Sequence, residues 1–300
     1  MHANRLNLNE WRADPVGFSL KKIFLFCSLL TVVTTFTVVG LLGTESFAFF
    51  SEVGVFEFLF GSRWEPLLEP KSFGVLPLVA GTTLIVLGAM IVAVPVGLFI
   101  AIYLSEYASP VNRKVIKPAL EILAGIPTVV YGYFALTFVT PILRIIFPET
   151  QIFNAASGAI VVGIMIIPMI SSLCDDAFRA LGDSLRLGAY GLGMHSFEVI
   201  FFILIPAAAS RIGAAVILAL SRALGETMAV TLAAGATPNM TFNPLKSIQT
   251  MTAYIVQVSL GDTPAGGVEY LTCFAVAALL FLMTFSLNFI GASAILKRKG

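Results

Sequence analysis

Charged residues are scarce in this sequence. Only 12% of its 300 residues are Asp, Glu, Lys or Arg, whereas 58% are hydrophobic, and the mean hydropathy is +0.94. A soluble domain carries about 25% charged residues, so the composition excludes an ordinary soluble protein. Membrane lipid is the expected surrounding of this chain, and no nucleic-acid partner is expected.

Cysteine, histidine and nucleotide-binding motifs are also sparse. Cys27 and Cys273 lie inside apolar segments and Cys174 lies at the edge of one, which favours buried structural thiols over a disulfide framework. His2 and His195 are far apart and lack ligand-rich surroundings, so no metal site is predicted. The sequence has neither a GxxxxGK loop ending in Ser or Thr nor a recognisable nucleophile–base spacing. We therefore expect no enzyme, no catalytic residue and no cofactor bound by this chain.

Uncharged segments long enough to span a bilayer recur along the chain. Strand-like alternation of apolar and polar residues is absent, and a helix satisfies its own backbone in lipid. The sequence thus predicts an all-α membrane protein with six transmembrane helices. We expect these spans at Ile23 to Gly43, within Gly74 to Ser105, within Ile122 to Leu143, within Ala155 to Leu173, at about Ile212 to Gly235, and within Tyr270 to Leu296.

The spans divide the chain into regions. The first span follows a polar tail and covers a full bilayer length, so an uncleaved anchor is expected rather than a signal peptide. The predicted regions are a tail at 1–22, the first helix at 23–43, an outer loop at 44–73, a core at 74–296 that contains a polar loop at 174–206, and a second tail at 297–300. Within the core, Gly81 and Gly88, and Gly125 and Gly132, are spaced for close helix contacts.

Basic residues predict the orientation of the chain in the membrane. Most of the 18 Lys and Arg residues fall on the side that holds both termini and the polar loop. Those on or near the opposite side are Arg63, Lys71, Arg144 and Lys246. The positive-inside rule therefore predicts a multi-pass protein of the plasma (inner) membrane with both termini and the loop in the cytoplasm.

The polar loop from Asp175 to Pro206 is too long and too patterned for a simple turn. Small residues at Gly188, Ala189 and Gly193 would let another backbone approach, and Gly193 is suited to end a short helix. This pattern favours a short helix on the membrane surface that fits into the cleft of a partner.

The spacing of this loop resembles the EAA motif of ABC importer permeases. Ala189, Gly193, Ile203 and Pro206 fit that motif, whereas Leu187, Gly188 and Ile205 stand where it has Glu, Ala and Leu. In the family this loop forms the coupling helix that docks into the ATPase subunit. The resemblance thus implies ATPase coupling by Leu187, Gly188, Ala189, Gly193, Ile203 and Pro206, with Leu187 favouring shape and apolar contact over the usual Glu.

Further blocks resemble phosphate-specific ABC transporter permeases of the PstC type. They are residues 73–78, 103–107, 123–132, 221–230 and 252–257. The resemblance implies a type I ABC importer (MetI-like) permease fold and alternating access. It also implies a heterodimer with a sibling permease, a pair of ATPase subunits that carry ATP and Mg, and a periplasmic phosphate-binding protein.

Arg222 and Glu226 are ionisable residues four apart within an apolar segment, so we expect them on one face of a single helix. A charged residue at mid-membrane costs about 2.5–3.5 kcal/mol on insertion scales and usually marks a functional site. Our hypothesis is that Arg222 lines the phosphate path because its guanidinium matches phosphate oxygens bidentately, and that Glu226 moderates this attraction. The alternative is an internal ion pair that only fixes helix packing. Thr227 is a weaker candidate for the path, because hydroxyls in such helices often bond to their own backbone.

Glu226 is also a candidate for selecting the substrate. A carboxylate accepts a hydrogen bond from protonated phosphate, whereas sulfate at neutral pH has no proton to donate. Alternatives to a phosphate importer are an ABC permease for another oxyanion such as sulfate, a secondary anion transporter, and a membrane scaffold without transport. Secondary transporters often show inverted repeats, which we do not find in this sequence.

The departure from the motif at Leu187 makes a prediction about the ATPase contact. Replacing this residue by the usual carboxylate, Leu187→Glu, should tighten ATPase coupling because it restores an ionic contact. Leu187→Gln is the control, since it adds polarity without charge. Binding of the ATPase subunit by the purified variants measures the effect, and equal binding by Leu187→Glu and the parent chain would contradict it.

Overall fold

A computed structural model describes residues 15–261 and 266–297 of the chain. Its helices are α1 (Pro15–Glu52), α2 (Val55–Phe60), α3 (Leu76–Ile102), α4 (Pro110–Gly125), α5 (Thr128–Phe134), α6 (Thr140–Ile146), α7 (Ala155–Arg179), α8 (Asp183–Gly191), α9 (Ser196–Glu198), α10 (Ile205–Leu224), α11 (Met228–Ala234), α12 (Met251–Leu260) and α13 (Val268–Lys297). Strands β1 (Trp64–Glu65) and β2 (Ser72–Phe73) pair antiparallel. Wider π-helical turns occupy Tyr103–Tyr107, Ala135–Val139 and Val199–Leu204.

Six helical segments in this part of the chain are long and apolar enough to cross a membrane. They are Ser19–Glu52, Leu76–Tyr107, Thr128–Ile146, Ala155–Arg179, Ser196–Leu224 and Val268–Ser293. The predicted all-α membrane protein with six transmembrane helices is thereby confirmed. Most of the predicted tail at 1–22 and nearly all of the tail at 297–300 lie outside the described residues.

The fifth membrane helix begins earlier than predicted. It runs from Ser196 to Leu224, whereas the sequence suggested a start near Ile212. A proline lacks a backbone N–H and usually interrupts a helix, so Pro206 looked like the end of a loop. In the structure the π-helical turn Val199–Leu204 precedes this proline, and the helix continues through it as α10.

Helices α3 and α7 form the centre of the fold. Most of α7 is buried, and glycines of α3 allow the two helices to approach closely. A Cβ atom on Gly97 would lie 2.8 Å from the Cβ of Ile170, and one on Gly88 would lie 2.7 Å from that of Ala159. Close contact at Gly88 is therefore confirmed. A Cβ on Gly81 would meet the backbone of Gln249, and one on Gly132 would meet the side chain of Leu232, so close contacts are confirmed at both. A Cβ on Gly125 would meet nothing within 4 Å, so the close contact predicted there is wrong.

A second apolar cluster closes the end of the molecule opposite α8. Its largest buried side chains are Phe49, Phe58, Trp64 and Tyr254, which come from α1, α2, the short hairpin and α12. The Lys71 ammonium lies 2.7 Å from the Glu269 carboxylate, so the hairpin is also held to the start of α13. The predicted outer loop at 44–73 is thus mostly structured.

The close packing of α3 on α7 predicts opposite effects for two glycine substitutions. Gly97→Ala should lower the free energy of unfolding by about 1–3 kcal/mol, because the new methyl group overlaps the branched Ile170 side chain. Gly213→Ala in α10 meets nothing within 4 Å and should be neutral or stabilising by up to about 1 kcal/mol. Unfolding in detergent measures both variants, and equal stability of the two would contradict the prediction.

Candidate functional site

A cavity of about 300 Å³ opens between α4, α7 and the end of α10. Its polar lining consists of Lys117, Glu121, Ser172, Asp175 and Arg222. The α7 residues that line it recur at helical spacing, from Met165 to Asp175, so one face of the central helix forms its wall. The cavity brings the predicted residue Arg222 together with Lys117 and Glu121, which sequence reasoning missed.

Two local features position α4 beside this cavity. The Ser109 hydroxyl accepts a hydrogen bond from the Asn112 N–H, and Pro110 occupies the first turn, so the helix begins here. Arg113 then donates from both terminal nitrogens to the Asp175 carboxylate, at 3.0 and 2.5 Å. This bidentate pair holds the start of α4 against the end of α7. Lys117 and Glu121, one turn apart on α4, are thereby brought to the cavity.

Arg222 offers part of its guanidinium to the cavity. One terminal nitrogen donates to Glu226 Oε2 at 2.8 Å, and the other lies 3.9 Å from the sulfur of Met165. The side chain is 45% exposed. An arginine has five N–H donors, and those that remain have no hydrogen-bond partner among the described residues. Arg222 therefore keeps N–H donors available at the cavity while its ion pair with Glu226 persists.

Glu226 is placed differently from the expectation. The prediction put Arg222 and Glu226 on one face of a single helix, but α10 ends at Leu224 and Gly225 separates the two residues. The ion pair forms nonetheless. The second carboxylate oxygen accepts a hydrogen bond from the Ala229 N–H, in the first turn of α11, where a helix favours negative charge. The Glu226 side chain is 3% exposed and joins the ends of two helices.

Hydrogen bonds to the backbone hold this break between α10 and α11. The Thr227 hydroxyl donates to the Gly225 carbonyl, and the Thr231 hydroxyl donates to the Thr227 carbonyl. The threonine hydroxyls therefore bond to nearby backbone, as such side chains often do. The Thr252 hydroxyl of α12 donates to the Glu226 carbonyl at 2.9 Å. Sequence reasoning gave Thr252 no role of its own, because its partner lies far away along the chain.

The α8 helix supplies a surface apart from the cavity. Leu187 is 69% exposed, and a Cβ on Gly188 would meet nothing within 4 Å, so both face outward. Ala189 is buried and belongs to the core. Gly193 has a φ of +82°, and its N–H and that of Met194 bond to the carbonyls of Tyr190 and Ala189. Gly193 therefore ends the short helix, as predicted.

The non-membrane part of the predicted loop at 174–206 is shorter than the sequence suggested. Asp175 lies inside α7, and Ile203 and Pro206 lie inside the fifth membrane helix. Charge and proline suggested a loop over this whole range, but ion pairing of Asp175 and the π-helical turn before Pro206 extend both helices into it. Tyr190 and Leu192, which the prediction omitted, add exposed apolar surface at α8.

Comparison with known proteins places this chain among membrane components of transport systems. Residues 93–299 match the family of binding-protein-dependent transport system inner membrane components. The probable ABC transporter permease protein YqgH of Bacillus subtilis is 33% identical over 261 residues, which cover 86% of this chain and 84% of that protein. The phosphate transport system permease protein PstC of Pasteurella multocida is 33% identical over 284 residues, which cover 87% and 84%.

Solved structures share the fold. A bacterial alginate ABC transporter in complex with an alginate pentasaccharide-bound periplasmic protein matches with a TM-score of 0.64 at 15% identity, covering 94% of this chain and 95% of that chain. An inward-facing MetNI methionine ABC transporter matches with a TM-score of 0.54 at 15% identity, covering 74% and 93%. The predicted MetI-like permease fold is confirmed.

The ion pair at the helix break predicts a non-additive effect on stability. Arg222→Met leaves the buried Glu226 carboxylate without its cation and should cost about 1–3 kcal/mol. This is less than for a fully buried pair, because Arg222 is 45% exposed. Glu226→Gln in the same chain should recover part of that loss, since the amide needs no counter-charge and its oxygen still accepts from Ala229. Unfolding in detergent measures the cycle, and a double variant no more stable than Arg222→Met would contradict the prediction.

Proposed function

The chain belongs to the family of binding-protein-dependent transport system inner membrane components, and from that membership we propose that it is the permease subunit of an ATP-driven phosphate importer. Relatives described as phosphate transport system permeases support the choice of substrate. The permease itself catalyses no reaction. ATP and Mg are bound by a partner ATPase, and ATP is hydrolysed there.

The observation that carries this proposal is the position of Arg222. Its guanidinium lines the cavity between α4 and the membrane helices that contain α7 and α10, and it keeps N–H donors beyond those used by Glu226. A guanidinium stays charged and presents donors in a fork that fits phosphate oxygens. Glu226 neutralises part of this charge, so an anion is held without being trapped. Lys117 adds a second positive charge, and Glu121 a negative one, to the same cavity.

Glu226 acts by holding Arg222 in place. Both of its oxygens are engaged, by Arg222 and by the Ala229 N–H, and the side chain is almost fully buried. This geometry supports a role in orienting the guanidinium and setting its charge. Each oxygen keeps a further lone pair, but a direct hydrogen bond from phosphate requires the Glu226 carboxylate, which is 3% exposed, to become accessible from the cavity during transport.

Transport follows an alternating-access cycle in this proposal. The termini and α8 lie in the cytoplasm, where the exposed side chains of Leu187, Tyr190 and Leu192 contact an ATPase subunit. ATP binding closes a pair of ATPase subunits, α8 moves with them, and the membrane helices reorient around the cavity. A sibling permease forms the other half of the path. A periplasmic phosphate-binding protein delivers the anion at the opposite end.

The proposal predicts loss of transport on removal of the cavity arginine. Arg222→Gln should lower ATP-dependent phosphate uptake at least roughly tenfold, because hydrogen bonds from a charged donor to the anion are lost. Labelled phosphate uptake by proteoliposomes that hold the assembled complex measures this effect. Arg144→Gln is the matched control, since Arg144 lies in the last turn of α6 and does not line the cavity. Normal uptake by Arg222→Gln would favour a packing role for the ion pair.

The same assay compares the alternatives. Uptake that follows an ion gradient without ATP would identify a secondary transporter. Absence of phosphate uptake by the parent complex would favour a membrane scaffold without transport. Preference for sulfate over phosphate would identify a permease for that oxyanion. Glu226→Gln is expected to narrow the discrimination between phosphate and sulfate, and unchanged discrimination would rule out selection by this carboxylate.

A further inference from the structure

A third ion pair, which is largely buried, connects α8 with the π-helical turn that continues α3. Arg186 of α8 donates from Nε to Glu106 Oε2 at 3.0 Å and from Nη2 to Glu106 Oε1 at 2.7 Å. The two residues are 80 positions apart in sequence. Their side chains are 15% and 11% exposed. Paired donors from one guanidinium to one carboxylate fix orientation as well as distance, so this contact holds α8 in a defined direction.

Arg186 also contacts the end of α7. Its Nη2 donates to the Phe178 carbonyl at 3.1 Å, and its Nη1 donates to the Gly182 carbonyl at 3.0 Å. On the other side, the Ser105 hydroxyl donates to Glu106 Oε1 at 2.6 Å. One guanidinium therefore joins α8 to both central helices of the fold.

Most side chains of α8 face away from the protein, although the helix also packs on the π-helical turn Val199–Leu204. Among residues 183–191, only Arg186 and Ala189 are not exposed. Ala189 contributes a single methyl group to the core, which restrains the position of the helix but not its rotation. Arg186 is thus the directional attachment of a helix whose remaining side chains, including Leu187 and Tyr190, face outward.

The partner of Arg186 lies on a segment suited to transmit movement. Glu106 belongs to the π-helical turn Tyr103–Tyr107 that directly continues α3. Such turns are frequent at functional sites. Helix α3 is in turn locked against α7, where Gly97 meets Ile170. The same α7 helix forms the wall of the cavity that holds Arg222.

We propose that the Glu106–Arg186 pair is the joint through which movement of α8 reaches the transmembrane helices. The proposal rests on the function given above, in which α8 contacts an ATPase. Glu106 and Arg186 are positioning residues, since neither lines the cavity. Without the pair, α8 still presents its exposed apolar face to the ATPase but swivels about Ala189. ATP hydrolysis then continues, but the movement that it causes in the ATPase no longer reaches the membrane helices at the cavity.

The test compares variants of the pair in the assembled complex. Glu106→Leu and Arg186→Met remove one partner each, and a third chain carries both changes. Asp183→Asn is the matched control, because Asp183 lies 3.8 Å from Arg186 on the same helix but is 92% exposed. Phosphate uptake and ATP hydrolysis are measured together in proteoliposomes. Hydrogen exchange over residues 183–191 is measured on the same complexes.

Each single variant should lower the phosphate taken up per ATP hydrolysed at least roughly tenfold, within the range of allosteric couplings. The double variant should be no worse than either single one, because the residues act as a unit. Exchange over 183–191 should quicken in all three, and Asp183→Asn should behave like the parent chain. A pair that only supports the fold would instead lower uptake and hydrolysis together and release the ATPase from the complex.

Unchanged uptake per ATP in the variants, or unchanged exchange over α8, would overturn the proposal. A failure of the function itself has a different signature. The parent complex would then take up no phosphate, whereas the exchange measurement would still report whether Glu106 and Arg186 hold α8. The two inferences therefore fail separately.

Discussion

A carboxylate removed from water requires a cation, and three such pairs hold this protein together. Asp175, Glu226 and Glu106 have side chains that are 1%, 3% and 11% exposed, and each meets an arginine. Leaving one of these charges unpaired in a poorly solvated place is costly. Each pair accordingly fixes one junction of the fold: α4 with α7, α10 with α11, and α3 with α8.

These ion pairs differ in how much of the charge on their members remains uncompensated. Asp175 receives bonds from both Arg113 and Arg179, so it is fully compensated inside the protein. Glu226 compensates Arg222 only in part, because the arginine remains half exposed at the cavity. The first arrangement is suited to a fixed joint between helices. The second is suited to reversible contact with an anion, which must bind and then leave.

Prediction from sequence succeeded where a physical signal is local. Apolar length identified the membrane helices, and the spacing at Gly193 identified the end of α8, because left-handed backbone there needs glycine. It failed where a distant contact overrides the local signal. Pro206 suggested a boundary, yet a π-helical turn carries the helix past it. Asp175 suggested a loop, yet Arg113, 62 positions away, keeps it within a helix.

The sequence by itself determined the membrane class and the number of membrane helices. It also identified Arg222 as an ionisable residue within an apolar segment and therefore as a candidate functional residue. These follow from hydropathy and the cost of burying charge, which depend on composition and local order. Only the tertiary structure decided that Gly225 breaks the helix between Arg222 and Glu226, that α4 brings Lys117 to the same cavity, and that Arg186 finds Glu106. Such pairings depend on which helices pack side by side, and no single segment of sequence contains that information.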